Sequence, residues 1–129
     1  DLRDHIEFVG ELETAELEEL YRTASLFVLP SHYEGYGMAY AEALARGIPV
    51  VGTTGGAIPD TVPGFASVLV PPGDVDALVS ALEGLLVAPE RRQVLAEGAR
   101  MYRDSLPDWG EQAHRLMKSL RILLSACPM

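Results

Sequence analysis

The sequence predicts an α/β fold: a parallel sheet with helices on both faces, running into an all-helical C-terminal segment. Three observations predict it. Short apolar runs alternate with stretches of helical periodicity over residues 1–73. Apart from Glu7 and Ser67 the runs are apolar, as strands covered on both faces are, rather than alternating apolar and polar along their length. Beyond Pro71-Pro72-Gly73 the strand pattern stops, and residues 74–129 repeat their apolar positions at helical spacing.

Taken in order, Ile6-Glu7-Phe8-Val9 reads as a first strand closed by Gly10. Thr14 is a plausible N-cap for a helix that carries Leu17, Leu20, Tyr21 and Ala24. Residues 26–29 form a second apolar run, stopped by Pro30. A helix is expected from about Gly37 to Arg46, with Gly47 ending it. Pro49-Val50-Val51 reads as a third strand, followed by Thr53-Thr54-Gly55-Gly56 and a short helix over residues 57–62. Residues 67–70 form a fourth. Asp74 then caps a helix with Leu78, Leu82, Leu85 and Leu86 on one face. Pro89 suits the first position of the next, which carries Val94, Leu95, Met101 and Tyr102. Leu106-Pro107-Asp108 breaks the chain before a last helix with Ala113, Leu116, Met117, Leu120 and Leu124 on one stripe. No repeat, low-complexity tract or obvious linker divides the 129 residues, which suit one domain: an α/β part over 1–73 and a helical part over 74–129.

Composition narrows the function. The net charge is -9 and uneven. Residues 1–34 hold nine acids (Asp1, Asp4, Glu7, Glu11, Glu13, Glu16, Glu18, Glu19, Glu34) against Arg3 and Arg22. Nucleic-acid backbones want clustered Lys and Arg, so such a partner is not expected. The seven bases after residue 90 read as solvated helix faces. Cys127 is the only cysteine, which excludes an intrachain disulfide and fits a reducing compartment such as the cytoplasm. No apolar run approaches the roughly 18 residues of a membrane span, and no signal peptide is visible. His5, His32 and His114 lack metal-ligand spacing. A start at Asp1 rather than Met is what a piece of a longer protein would show.

Ligands of open parallel sheets sit beyond the carboxyl ends of the strands. Three loops leaving those ends carry unusual residues: Gly10-Glu11-Leu12, the stretch from Pro30 to Gly37, and Thr53-Thr54-Gly55-Gly56. Glu34 and Glu42 stand eight apart, about 800° of rotation on one helix, so a single helix would leave them roughly 80° off a common face. The glycines between them instead place Glu34 on a loop and Glu42 in the second helical turn, roughly 7 Å along the axis from Gly37. The free amides of the first turn lie between the two acids, and Gly35 and Gly37 let a ligand approach that backbone. Carboxylates accept hydrogen bonds and so suit vicinal hydroxyls. A nucleotide sugar offers hydroxyls at both ends and a diphosphate between. From spacing alone a plainer reading stands beside this one: two solvated acids flanking a tight turn. His32 is either a donor contact or an exposed loop residue. Tyr36 and Tyr40 read as helix-face packing, and Trp109 as a packing anchor. Thr53, Gly55 and Gly56 either border the sugar or form a turn.

The ordered set of motifs resembles the group 1 glycosyltransferases of retaining family 4. Pro30-Ser31, then Glu34 to Glu42, then Ala43-Leu44-Ala45-Arg46-Gly47-Ile48-Pro49-Val50-Val51 resemble the family's E-x7-E signature, "PS..EG[FY]G….EA.A.G.PVV". Phe8-Val9-Gly10 is similar to its "FLG", and Leu20-Tyr21-Arg22-Thr23-Ala24 to its "LY..A". Gly55-Gly56-Ala57-Ile58-Pro59-Asp60 resembles "GG.PE", and Leu69-Val70-Pro71-Pro72-Gly73-Asp74 resembles "LVPPGD". The resemblance implies the GT-B architecture of two Rossmann-like domains, with this chain as the later part of the second, donor-binding one. It implies that Glu34 meets hydroxyls of the transferred hexose and is the catalytic candidate. Gly35, Tyr36, Gly37 and Met38 would offer backbone amides to phosphate and sugar, and Glu42 would hold the ribose. Gly10, Glu11 and Leu12 would lie near the base, and Gly55 and Gly56 beside the sugar. It further implies retention, no required metal and no cofactor apart from the nucleotide diphosphate sugar as donor substrate. A role in polysaccharide or glycolipid synthesis follows, in the cytoplasm or at the inner face of its membrane.

The chain also departs from the family pattern. The acceptor-binding first domain, the first two strands of the second, and the Arg and Lys aimed at the diphosphate are absent. In the family's strand order 3-2-1-4-5-6 those strands separate residues 6–9 from residues 26–29. Rearranged pairing or a strand-swapped homodimer is therefore expected, and the chain alone is expected to lack transferase activity. A non-catalytic nucleotide-binding or protein-interaction module is the alternative reading.

Overall fold

A computed structural model describes residues 2–106 and 109–126. Helix α1 (Thr14–Thr23) leads to strand β1 (Phe27–Val28), helix α2 (Met38–Ala45), strand β2 (Val50–Thr53), the short helix α3 (Ile58–Thr61) and strand β3 (Ser67–Val70). Helices α4 (Val75–Leu86), α5 (Pro89–Ser105) and α6 (Trp109–Ala126) follow. The strands form one parallel sheet in the order β1-β2-β3. Phe27 pairs with Val50, and Val50 in turn with Ser67.

Every residue of the central strand β2 is buried, as its continuous apolar run demands. Successive residues feed opposite faces. Val50 joins Tyr40, Ala43, Leu44, Ile48, Ile58, Val62, Ala66 and Ala99 in one cluster, built from α2, α3 and α5. Val51 joins Leu85 and Leu95 in the other, with Leu26, Val68, Leu78 and Leu82 around it. The sheet therefore has helices on both faces, in the expected Rossmann-like manner. Asp74 caps α4 by accepting from the Ala77 N–H at 2.9 Å, a bond worth about 1 kcal/mol.

Several expectations need correction. Residues 6–9 form no strand: a 3-10 turn at Arg3–His5 precedes an extended, exposed segment in which Phe8 is 95% exposed. An apolar run becomes a strand only where a neighbour accepts its hydrogen bonds, and among the described residues no strand pairs with it. The run 26–29 narrows to Phe27–Val28, paired to β2 alone. No rearranged pairing fills its other edge among the described residues. The third strand is shifted to Val50–Thr53. Glu13, not Thr14, is the α1 N-cap, its N–H donating to Glu16 Oε2 at 3.0 Å. Leu86, Val94 and Met101 are exposed rather than packed. The stripe of α6 is exposed as well, from 43% at Leu120 to 77% at Leu124. The Trp109 side chain and Cys127 lie outside the described residues. No described helix is long and apolar enough to cross a membrane.

Candidate functional site

The site loop runs from the end of β1 to the start of α2, at the carboxyl rim of the sheet. Its course is fixed from beneath. The Tyr40 ring is fully buried, and its hydroxyl donates to the Leu29 carbonyl. Phe27 meets that ring edge-on, with centroids 5.9 Å apart, and stacks on Tyr21 at 6.5 Å. Of the two tyrosines read as packing, Tyr40 is core and Tyr36 is exposed.

The loop after β2 clamps the same segment. Thr53 Oγ1 donates to the Ser31 carbonyl and accepts from the Gly55 N–H at 3.3 Å. The Glu34 carbonyl accepts from the Ala57 N–H at 2.9 Å, and Glu34 forms a parallel bridge with Gly56. Backbone lies on backbone here. A Cβ at Gly55 would stand 2.2 Å from the His32 carbonyl oxygen, and one at Gly56 2.3 Å from that of Glu34. Both glycines are thus close-approach residues that seat the Glu34 loop.

Gly37 is the N-cap of α2 with φ +79°, a left-handed conformation that turns the loop into the helix. No side chain caps the first turn, and it contains no acid. Its amides therefore keep their capacity for an outside acceptor, and the helix dipole favours a negative one. Gly35 has nothing within 4 Å of its Cβ position, and Met38 is exposed beside it.

The two carboxylates are each held by a hydroxyl. Ser31 Oγ donates to Glu34 Oε1 at 2.8 Å, with both residues half-buried. The Tyr21 hydroxyl donates to Glu42 Oε2 at 3.3 Å, and Glu42 is otherwise exposed on α2. Arg46 lies over the Tyr21 ring at 4.3 Å, donates to the Glu42 carbonyl at 2.9 Å and pairs with Glu18. That pairing holds the Glu18 carboxyl below its ordinary range. Burial first, and the Glu42 carboxylate second, raise the Tyr21 phenol above its usual value.

The remaining candidates sit apart. Gly10 and Glu11 are exposed at a bend before α1, and Leu12 lines an apolar groove with Val9, Ala15 and Leu20. None of the three hydrogen-bonds to the Glu34 loop among the described residues. His32 is exposed and borders a cavity of about 190 Å³ with Pro30, Thr53, Asp74 and Leu78. The Ser31 and Tyr21 hydroxyls that hold these two acids, and the Arg46 guanidinium, are contacts of the candidate site to which sequence reasoning gives no role. Their signal was present in the motifs that contain them, "PS", "LY" and Ala45-Arg46-Gly47. Each acts through a tertiary or loop contact that spacing does not announce.

These residues fall within a recognisable frame. The model of the family "Glycosyl transferases group 1" matches residues 1–102. A sulfoquinovosyl transferase of Arabidopsis thaliana is 38% identical over 97 residues, 72% of this chain and 19% of that protein. A GDP-mannose-dependent monoacylated α-(1-6)-phosphatidylinositol monomannoside mannosyltransferase of Corynebacterium glutamicum is 30% identical over 128 residues, 94% of this chain and 34% of that protein. The solved sucrose-phosphate synthase of Thermosynechococcus elongatus superposes with a TM-score of 0.82 at 32% identity, covering 98% of this chain and 32% of that one. The chain thus spans between 19% and 34% of the length of these relatives. The strand order, the glycine-led helix and both glutamates all lie inside the matched region, and the chain belongs to the group 1 glycosyl transferases.

Proposed function

We propose that this chain is the donor-binding part of a glycosyltransferase that moves a sugar from a nucleotide diphosphate sugar to an acceptor hydroxyl, with retention at the anomeric carbon. One observation carries the reading: the uncapped first turn of α2, opened by Gly37, with Glu34 before it and Glu42 within the helix. The first-turn amides suit the donor's diphosphate. Glu34 takes hydroxyls of the transferred sugar, and Glu42 takes those of the ribose. Met38 and Gly35 leave the approach open. Gly10, Glu11 and Leu12 lie near the base in this reading.

The chemistry follows from where charge develops. As the bond from the anomeric carbon to the donor phosphate breaks, its electron pair goes to the leaving diphosphate. The α2 amides, already aimed at that position, stabilise the growing charge without reorganising. The acceptor oxygen bonds to the anomeric carbon and yields its proton to a donor phosphate oxygen. Glu34 steadies the electron-poor sugar from its held position. The net charge of -9 does not oppose an anionic donor, because local amides rather than overall charge provide the contact. In this reading the acceptor domain, and further cationic groups for the diphosphate, lie outside these 129 residues.

The test is a titration of the ¹⁵N-labelled chain with GDP-mannose and, in parallel, UDP-glucose. The amides of Gly35, Gly37, Met38 and Ala39 should shift, and the Glu34→Ala/Glu42→Ala double variant should bind at least 10-fold more weakly, about the loss of one charged hydrogen bond. Unchanged binding by the folded double variant would favour a non-catalytic module and contradict the proposal.

A further inference from the structure

We propose that Ser31 is a positioning residue for Glu34. This inference rests on the donor-site reading above and adds the device that aims the catalytic candidate. Glu34 stands on a loop, where nothing in regular secondary structure fixes a long side chain. Its main chain is nevertheless held on both sides. The Glu34 carbonyl accepts from Ala57 N–H at 2.9 Å, while three residues earlier the Ser31 carbonyl accepts from Thr53 Oγ1. Thr53 is 1% exposed and belongs to β2, so the anchor is the centre of the sheet itself. Gly55 N–H donates to Thr53 Oγ1 at 3.3 Å, which leaves that hydroxyl's own proton for Ser31.

What remains is the carboxylate, and Ser31 supplies the fixing bond. Its Oγ donates to Glu34 Oε1 at 2.8 Å. A carboxylate has two oxygens and only accepts, so Ser31 commits one oxygen and leaves Oε2 for a hydroxyl of the sugar. Ser31 reaches the substrate only through Glu34. A rigid strand, Thr53, Ser31 and Glu34 thus form a line in which each member orients the next, the supporting arrangement that precise placement of a reacting group requires.

The test uses the 129-residue chain and compares affinity for GDP-mannose with that for GDP, and for UDP-glucose with that for UDP. The readout is the gain in affinity contributed by the sugar. Glu34→Ala should abolish that gain. Ser31→Ala should reduce it about 3–10-fold while leaving affinity for the bare diphosphate unchanged, the effect of one hydrogen bond acting on the sugar end alone. Ser31→Thr, which keeps the hydroxyl, should restore it. Ser31→Cys keeps the side-chain shape with a slightly larger atom but donates weakly, and should repeat the loss if the alanine variant does not fold. The Ser31→Ala/Glu34→Ala pair should bind no more weakly than Glu34→Ala alone, because the serine has lost its object. A normal sugar gain in folded Ser31→Ala or Ser31→Cys, or a double variant weaker by the full serine factor, overturns the positioning role while sparing the site. An unchanged sugar gain in Glu34→Ala overturns the donor-site reading, and the positioning role falls with it.

Discussion

The Tyr21 hydroxyl donates to Glu42 Oε2 across 21 residues of chain, joining α1 to α2 at the acid proposed to hold the ribose. Arg46 covers the ring and pairs with Glu18, so the same cluster docks the two helices. Tyr21→Phe keeps the stacking on Phe27 and removes only the hydroxyl. Its expected effect is nucleotide affinity about 2–5-fold weaker, with GDP and GDP-mannose affected alike, the value of one neutral-donor hydrogen bond. Unchanged affinity in a titration would show that Glu42 needs no such support.

Gly55 and Gly56 permit the β2 loop to lie against the carbonyls of His32 and Glu34. Alanine at either position must push a backbone oxygen rather than a flexible side chain. Gly55→Ala is expected to cost about 2–3 kcal/mol, as overpacking against a fixed group does. Thermal unfolding should drop by roughly 5–12 °C for a chain of this size. Amide shifts at Ser31 and Glu34 should accompany the loss, and a melting temperature within a degree of the parent would contradict the close approach.

Stability at high pH follows from three phenols. Burial is the main cause that raises Tyr21, Tyr40 and Tyr102 above the ordinary value of 10.0. The unfolded chain therefore releases these protons first. Their contribution to stability is whole below pH 10 and is lost as pH rises through the folded values. Urea midpoints should be level from neutral pH to about 9 and fall beyond 10. A flat profile to pH 11 would argue against buried phenols.

Much of this was legible in the sequence, for local reasons. Gly37 and Gly47 bracket α2 because a glycine can turn the chain in or out of a helix where other residues resist, and both adopt positive φ. Asp74 caps α4, and Pro89 opens α5, by chemistry confined to a single turn. Residues 6–9 show the limit. Their apolar pattern marks β character, yet a strand needs a partner, and pattern alone does not say whether the partner is present. The shortening of residues 26–29 to Phe27–Val28 has the same cause. At the site, the glutamates and glycines stood out by type and spacing. The hydroxyls that hold the acids did not, because Tyr21 meets Glu42 only after α1 and α2 pack, and Ser31 turns toward Glu34 only in a folded loop.

Tyr40 joins the core to the site. Tyr40→Phe leaves the Leu29 carbonyl without its donor at the end of β1. The expected cost is about 1 kcal/mol, with faster amide exchange at Ser31 and Glu34, since a part-buried acceptor is left without its donor. Equal stability of the two proteins by urea unfolding would remove Tyr40 from the loop's support.

The central claim is a division of labour between the acids, and it is tested most directly by the affinities of Glu34→Ala and Glu42→Ala for GDP and GDP-mannose, with UDP and UDP-glucose in parallel. Glu34→Ala should bind the bare diphosphate normally and lose the extra affinity given by the sugar, whereas Glu42→Ala should weaken both ligands by one common factor. Equal effects of the two substitutions on both ligands, or no effect of either, would contradict it.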